Sequence, residues 1–255
     1  MKRGRRILRW AAVLLFWLAV WQLAALRVGT QLLLPEPVAV LRRVGQLAAS
    51  ADFWETAAVS LLRISLGSLG GIVLGTLLAV LTSRFRLLHA LFAPVLTVVK
   101  STPVASFIIL ALIWMGREVL PSFIALLMVL PLVWTNVGAG IASTDSALLQ
   151  VAQVFGFSRL KTLRRVYVPS VMPYFVSACR AALGLAWKAG IAAEVLTLPK
   201  RSIGARLYES KLYLETVDLF AWTLVVIICS LAIERLAMSA LSRMGRRRGK
   251  AAEHD

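Results

Sequence analysis

Cysteine is almost missing from this 255-residue chain: only Cys179 and Cys229 are present, both inside apolar runs. That excludes a disulfide framework and a cysteine-ligated metal site. Histidine is as scarce, and no G-x-x-x-x-G-K-[ST] stretch offers a cradle for nucleotide phosphates. No nucleophile, base and orienting acid can be assembled, so the chain does not read as an enzyme. Acidic residues number 12 against 29 Lys and Arg, a net charge of +17. Such an excess raises nucleic-acid binding, but no basic stretch is interleaved with exposed aromatics, and nucleic acid is set aside. Internal repeats and low-complexity linkers are missing too, which favours one domain.

Apolar sequence is abundant. The chain is 59% hydrophobic with a mean hydropathy of +0.79, against roughly 45–50% apolar residues in soluble domains. Long runs lie at Trp10–Leu26, Leu61–Thr82, Pro121–Ile141, Pro173–Val195 and Leu219–Ala232. Each approaches the ~20 residues that cross ~30 Å of hydrocarbon. Leu87–Val99 and Pro103–Met115 are short singly and read as one span broken around Ser101-Thr102-Pro103. The reading is an all-α integral membrane protein of about six spans. Lys2–Arg9 before the first run has the look of a signal peptide, but the run is too long and no A-x-A site follows, so it reads as a retained span.

With both ends inside, the cytoplasmic segments hold 17 of the 29 basic residues and the outer segments eight. This is the positive-inside asymmetry, and it reports topology and contact with anionic lipid. The division is a cytoplasmic basic N-terminus at 1–9, a single transmembrane domain at 10–240, and a loosely ordered cytoplasmic basic tail at 241–255.

Arg63, Lys100, Arg180 and Lys188 fall within spans, where each charge costs about 2.5–3.5 kcal/mol on insertion scales. Lys188 is mid-span, and Lys100 stands at the break beside the hydroxyls of Ser101 and Thr102. Both are candidates to line a path for an anion, while Lys188 has a structural alternative in an ion pair with Glu194 of another helix. Arg63 and Arg180 are close enough to span ends to snorkel. Gly67, Gly71, Gly75 and Ala79 recur every fourth residue, a stripe that lets another helix approach closely. Val38–Ala49 reads as an amphipathic surface helix, and Thr197–Val217 as an outer loop where a delivering protein would dock.

The one long polar interruption, 145–169, is written as two helices. Asp145 or Thr144 caps a first helix whose Leu148, Leu149, Ala152 and Phe155 recur at helical spacing. Gly156 sits where a helix end takes a left-handed residue; Ser158 caps a second helix that Pro169 stops. Charge placement puts this hairpin in the cytoplasm, its second arm carrying Arg159, Lys161, Arg164 and Arg165.

Aligned on Gly156, the segment keeps the spacing E-A-A-x3-G-x9-I-x-L-P: Gln150-Val151-Ala152, Gly156, then Val166-Tyr167-Val168-Pro169. It resembles the cytoplasmic loop of binding-protein-dependent ABC importer permeases, with Gln150 and Val151 departing from the pattern. Lys100-Ser-Thr-Pro103, Ser158-Arg159 and Leu183–Glu194 add a likeness to the nitrate, sulfonate and taurine permeases. The resemblance runs from about Ala57 to Met238. It implies the type I ABC importer permease fold in a bacterial inner membrane, and a second, identical permease copy. It also implies a dimer of ATPase subunits carrying ATP-Mg, a cleft on each receiving residues 146–158, and a substrate-binding protein on the outer face. No cofactor would be bound by this chain, and the cargo would be a small anion. A vitamin precursor as cargo, a secondary transporter and a nontransporting membrane scaffold are the other readings.

Overall fold

The computed structural model describes Lys2 to Ala252, with side chains described from Leu8 to Ala237 and at Ser239. The expected basic ends, 1–9 and 241–255, thus lie largely outside the described side chains. Hydrocarbon offers the backbone no hydrogen-bond partner, so a chain this apolar satisfies its peptides within helices. Among the described residues no strand occurs. Five helices are long and apolar enough to cross a membrane, and a bent pair passes the same test of length and composition only when its halves are taken together.

Helix α1 (Lys2–Val28) is almost wholly apolar from Trp10 to Leu26 and scarcely buried there. It is tied to the body where the Trp21 indole donates to the Pro35 carbonyl at 3.1 Å and packs on Phe220. Helix α2 (Pro37–Ala48) starts at the proline, whose missing N–H costs nothing at a first helical position. It does not lie loose on the surface: Val40 is fully buried, and Arg43 forks onto both oxygens of Asp218 at 2.6 and 2.7 Å.

Helix α3 (Ala51–Arg84) is capped by Ser50, whose hydroxyl accepts the Phe53 N–H. Its 34 residues span ~51 Å at 1.5 Å per residue, well beyond the ~30 Å of a hydrocarbon core. Helices α4 (Arg86–Ser101) and α5 (Val104–Ala111) are the pair expected as one broken span, and they meet at a bend of 106°. Pro103 supplies no N–H and forces Thr102 into extended backbone, which ends α4 there.

Helix α6 (Leu120–Ala142) is the centre of the bundle, packed between α3 and α9 (Val168–Thr197). The small-residue stripe faces α6 of the same chain. A Cβ on Gly71 would come within 2.7 Å of Val129, and one on Gly75 within 2.8 Å of the Leu130 carbonyl; Gly67 is pressed on the Ser122 backbone. Such closeness gives dispersion contact and allows the Ser122 hydroxyl to reach the Arg63 carbonyl at 2.8 Å. Lower down, the Trp134 indole donates to Thr82 at 2.8 Å. At the end remote from the 145–169 hairpin, termed outer because charge placement puts the hairpin in the cytoplasm, α3 and α9 also touch, Ile64 filling the space over Gly190. Toward the inner end they part. A groove of about 510 Å³ opens there, lined by Val80 of α3, Val137 and Ile141 of α6, and Phe175 of α9.

Pro169 does not stop the helix of the second hairpin arm. Short α8 (Arg159–Thr162) passes into a π turn (Leu163–Tyr167), where the Val168 N–H reaches back to the Leu163 carbonyl, and then into α9. Widening the turn just before a proline makes room for its ring and its missing donor, so 39 residues from Arg159 to Thr197 run on as one helix. Helix α10 (Ile203–Leu212) folds over the outer end. Helix α11 (Thr216–Ala252) returns across the membrane and stays helical through the segment expected to be loosely ordered.

Candidate functional site

Helix α7 (Ser146–Val154) and α8 form the predicted hairpin. The Asp145 carboxylate accepts the Ala147 N–H at 2.8 Å, and the Ser158 hydroxyl accepts the Lys161 N–H. Between them Gly156 takes φ +61°, Gly156 N–H bonds the Gln153 carbonyl, and Phe157 N–H bonds Ala152 at 2.8 Å. That double closure consumes the orphan carbonyls of α7, and it needs a left-handed residue that only glycine adopts without strain. Lys161 lies 4.1 Å above the Phe157 ring, which holds the turn against the second arm.

The two faces of α7 differ from the expected assignment. Ala152 is buried and Leu149 half-buried against the hairpin's own chain, so neither offers its surface to a partner. Leu148 and Val151 are exposed, and Val154 and Phe155 are 84% and 72% exposed. On a segment that charge placement puts in the cytoplasm, this apolar row is unpaid for by water and is suited to insertion in a groove. Gln150 is exposed beside it and Arg159 stands at the base of the second arm. Pro169, beyond the π turn, belongs to the rise of α9 rather than to the hairpin.

The pathway candidates separate. Lys188 is exposed on α9, and Thr197, the outer end, is nine residues on, which sets it ~14 Å down the helix. Its predicted structural partner is not available. Glu194 is wholly buried and held by three other donors: Arg63 at 3.0 Å, Ser60 at 2.9 Å and the Gly204 N–H at 3.2 Å. Arg63 is therefore no snorkelling side chain; it bridges Glu194 and Glu118, the latter at 2.9 Å. Ser60 also accepts the Ile203 N–H at 2.9 Å. The result is a charged node that pins α3, α9 and the start of α10 at the outer end, and Glu194 serves as its hub rather than as pathway lining. Lys100 is exposed at the 106° bend. The neighbouring hydroxyls donate inward, both Ser101 and Thr102 bonding the Val98 carbonyl, so they offer a passing solute their lone pairs and not their protons.

Around the outer node, Arg206 pairs with Asp52 at 2.6 Å and Arg201 with Glu55. Leu198 and Arg201 adopt φ near +50°, a conformation that costs roughly 1–3 kcal/mol each and persists only where surroundings impose it. A pocket of about 540 Å³ lies among Pro199, Lys200, Arg206 and Tyr208.

One intramembrane charge escaped the sequence reading. Glu234 of α11 places its carboxylate against Gly184 of α9: a Cβ there would meet Oε1 at 2.8 Å. Its neighbour Arg235 makes it look like the start of the cytoplasmic end, which hides it in a charge count.

Residues 71–248 match the family model for the binding-protein-dependent transport system inner membrane component. The taurine transport system permease protein TauC of Escherichia coli K12 is 26% identical over 239 residues, 91% of this chain and 85% of that one. The putative aliphatic sulfonates transport permease protein SsuC of the same strain is 30% identical over 203 residues, 78% of this chain and 76% of that one. A solved bacterial ABC transporter involved in the import of alginate superposes with a TM-score of 0.57 at 20% identity, over 94% of this chain and 96% of that one. The family match covers most of the membrane bundle, the hairpin and both candidate lysines. The chain thus belongs to the inner-membrane components of binding-protein-dependent transport systems: it is a multi-pass permease subunit of an ABC importer, with the type I fold, and not an enzyme.

Proposed function

We propose that this permease moves a small sulfonate-like anion, handed over by a substrate-binding protein, past Lys188 and Lys100 into a bacterial cytoplasm. The observation that carries the reading is Lys188, an exposed cation deep in a span, where a charge is retained only if it faces protein or a polar path. The names of the sulfonate and taurine relatives supply the matching class of cargo.

Permeases of this family work with a separate ATPase and a binding protein. In our reading two copies of this chain form the pathway, with both termini cytoplasmic and residues 10–240 as one domain. Leu148, Val151, Val154 and Phe155 insert into the ATPase subunits, which carry ATP-Mg. The node around Glu194 fixes the outer surface on which the binding protein lands. Closure of the ATPases moves the hairpins, and the spans rock between outward and inward access.

The test is reconstitution in vesicles with the ATPase and binding protein of the same system, following labelled taurine. Lys188→Met should lower uptake at least about tenfold, the loss expected when a charge-assisted contact of ~1.5 kcal/mol or more disappears. Unchanged uptake by that variant removes the anion path.

A further inference from the structure

Helix α9 carries Arg180, Gly184 and Lys188 at intervals of four, so the three lie on one face. Gly184 has no side chain, and the space is taken by the Glu234 carboxylate of α11. One turn of helix is ~5.4 Å, so this acid stands one turn from Lys188 on one side and one turn from Arg180, which is engaged in an interaction of its own, on the other. Lys188 and Glu234 are both exposed, and no salt bridge joins either to another described residue within 4 Å. The indole of Trp187, next to Lys188, donates to the Val226 carbonyl of α11 at 3.0 Å and fixes the two helices side by side.

We propose that Glu234 is a tethered anion that competes with the travelling substrate for Lys188. With the path empty, the carboxylate offsets the charge of the cationic face. When a substrate anion arrives, it displaces the carboxylate from the field of Lys188. When the anion moves inward, Glu234 returns, and the substrate leaves a site that no longer carries uncompensated charge. Glu234 thus acts through Lys188 as a positioning residue for release, and Gly184 is glycine so that the carboxylate can lie there. This inference rests on the placement of Lys188 in the pathway.

The experiment is a double-mutant cycle in the complete transporter, with labelled taurine uptake measured at saturating loaded binding protein. Glu234→Gln should slow maximal uptake by about three- to tenfold, the range of polar couplings in membrane bundles. It should also lower the taurine concentration on the inner side that inhibits uptake by half, because the anion now lingers. In the Lys188→Met background the same change should have no further effect. Gly184→Ala, which crowds the carboxylate without altering charge, should reproduce the Glu234→Gln result. Co-purification with the ATPase subunit verifies assembly of every variant. An equal loss from Glu234→Gln in both backgrounds makes Glu234 a packing residue and overturns the proposal, as does unaltered uptake with Glu234→Gln when Lys188→Met is impaired. Normal uptake by Lys188→Met overturns the pathway itself, a distinct result.

Discussion

Glu194 and Arg63 lie 131 residues apart in the chain, yet the guanidinium meets the fully buried carboxylate at 3.0 Å. Burying two charges is tolerable only when every remaining lone pair is used, and Ser60 and the Gly204 N–H complete that account. Removing one partner leaves the other stranded. Arg63→Met should destabilise the detergent-solubilised protein by about 3 kcal/mol or more, read as a fall in thermal midpoint. Arg63→Met combined with Glu194→Gln should recover part of that loss, since the stranded charge has gone.

The contact between α3 and α6 gives an internally controlled test. Gly71→Val adds bulk where even a Cβ would sit 2.7 Å from Val129, whereas Gly138→Ala meets nothing within 4 Å. The first should abolish stable assembly, well beyond the 1–3 kcal/mol typical of overpacking. The second should leave yield and thermal midpoint unchanged. Equal behaviour of the two variants contradicts the packing described.

Gly156→Val forces a β-branched residue to φ +61° at the turn of the hairpin, a cost of roughly 1–3 kcal/mol. Insertion should be normal, but ATP hydrolysis should no longer be tied to uptake. Gly156→Asn should be milder, because Asn tolerates the left-handed region. The ratio of ATP hydrolysed to taurine imported measures both.

Phe155→Ala and Val154→Asp alter exposed side chains only. They should reduce recovery of the ATPase subunit in pull-downs while leaving the permease's own thermal midpoint within about 0.5 kcal/mol of the parent. Ala152→Leu, by contrast, should lower the midpoint, because that residue is 3% exposed and packs within the chain.

Much of this was legible in the sequence where the cause is local. Asp145, Gly156 and Ser158 announce the hairpin because caps act within three or four residues. The stripe at Gly67, Gly71 and Gly75 announces a close helix contact, though its partner α6 depends on tertiary structure. Pro169 misleads because a helix-breaking residue is tolerated when the preceding turn widens, and neither composition nor spacing shows that. Glu194 likewise looks like a partner for Lys188 until the fold brings Arg63 and Ser60 to it from α3. Residue types on a helix face can be read directly, but which of the two faces of α7 turns outward follows only from the bundle above it.

The run from Arg159 to Thr197 is ~58 Å long, and it stays helical through a π turn and two prolines, Pro169 and Pro173, between the hairpin and the Glu194 node. Prolines and π turns are the points at which helices bend, so the compliance of this rod is gathered between Leu163 and Pro173, next to the hairpin. Beyond Pro173 no further proline interrupts the helix, so Lys188 and Glu194 stand on one continuous stretch of it. The π turn keeps that stretch continuous with the hairpin's second arm while making room for Pro169, so the two are one element of the chain and not two joined by a loop.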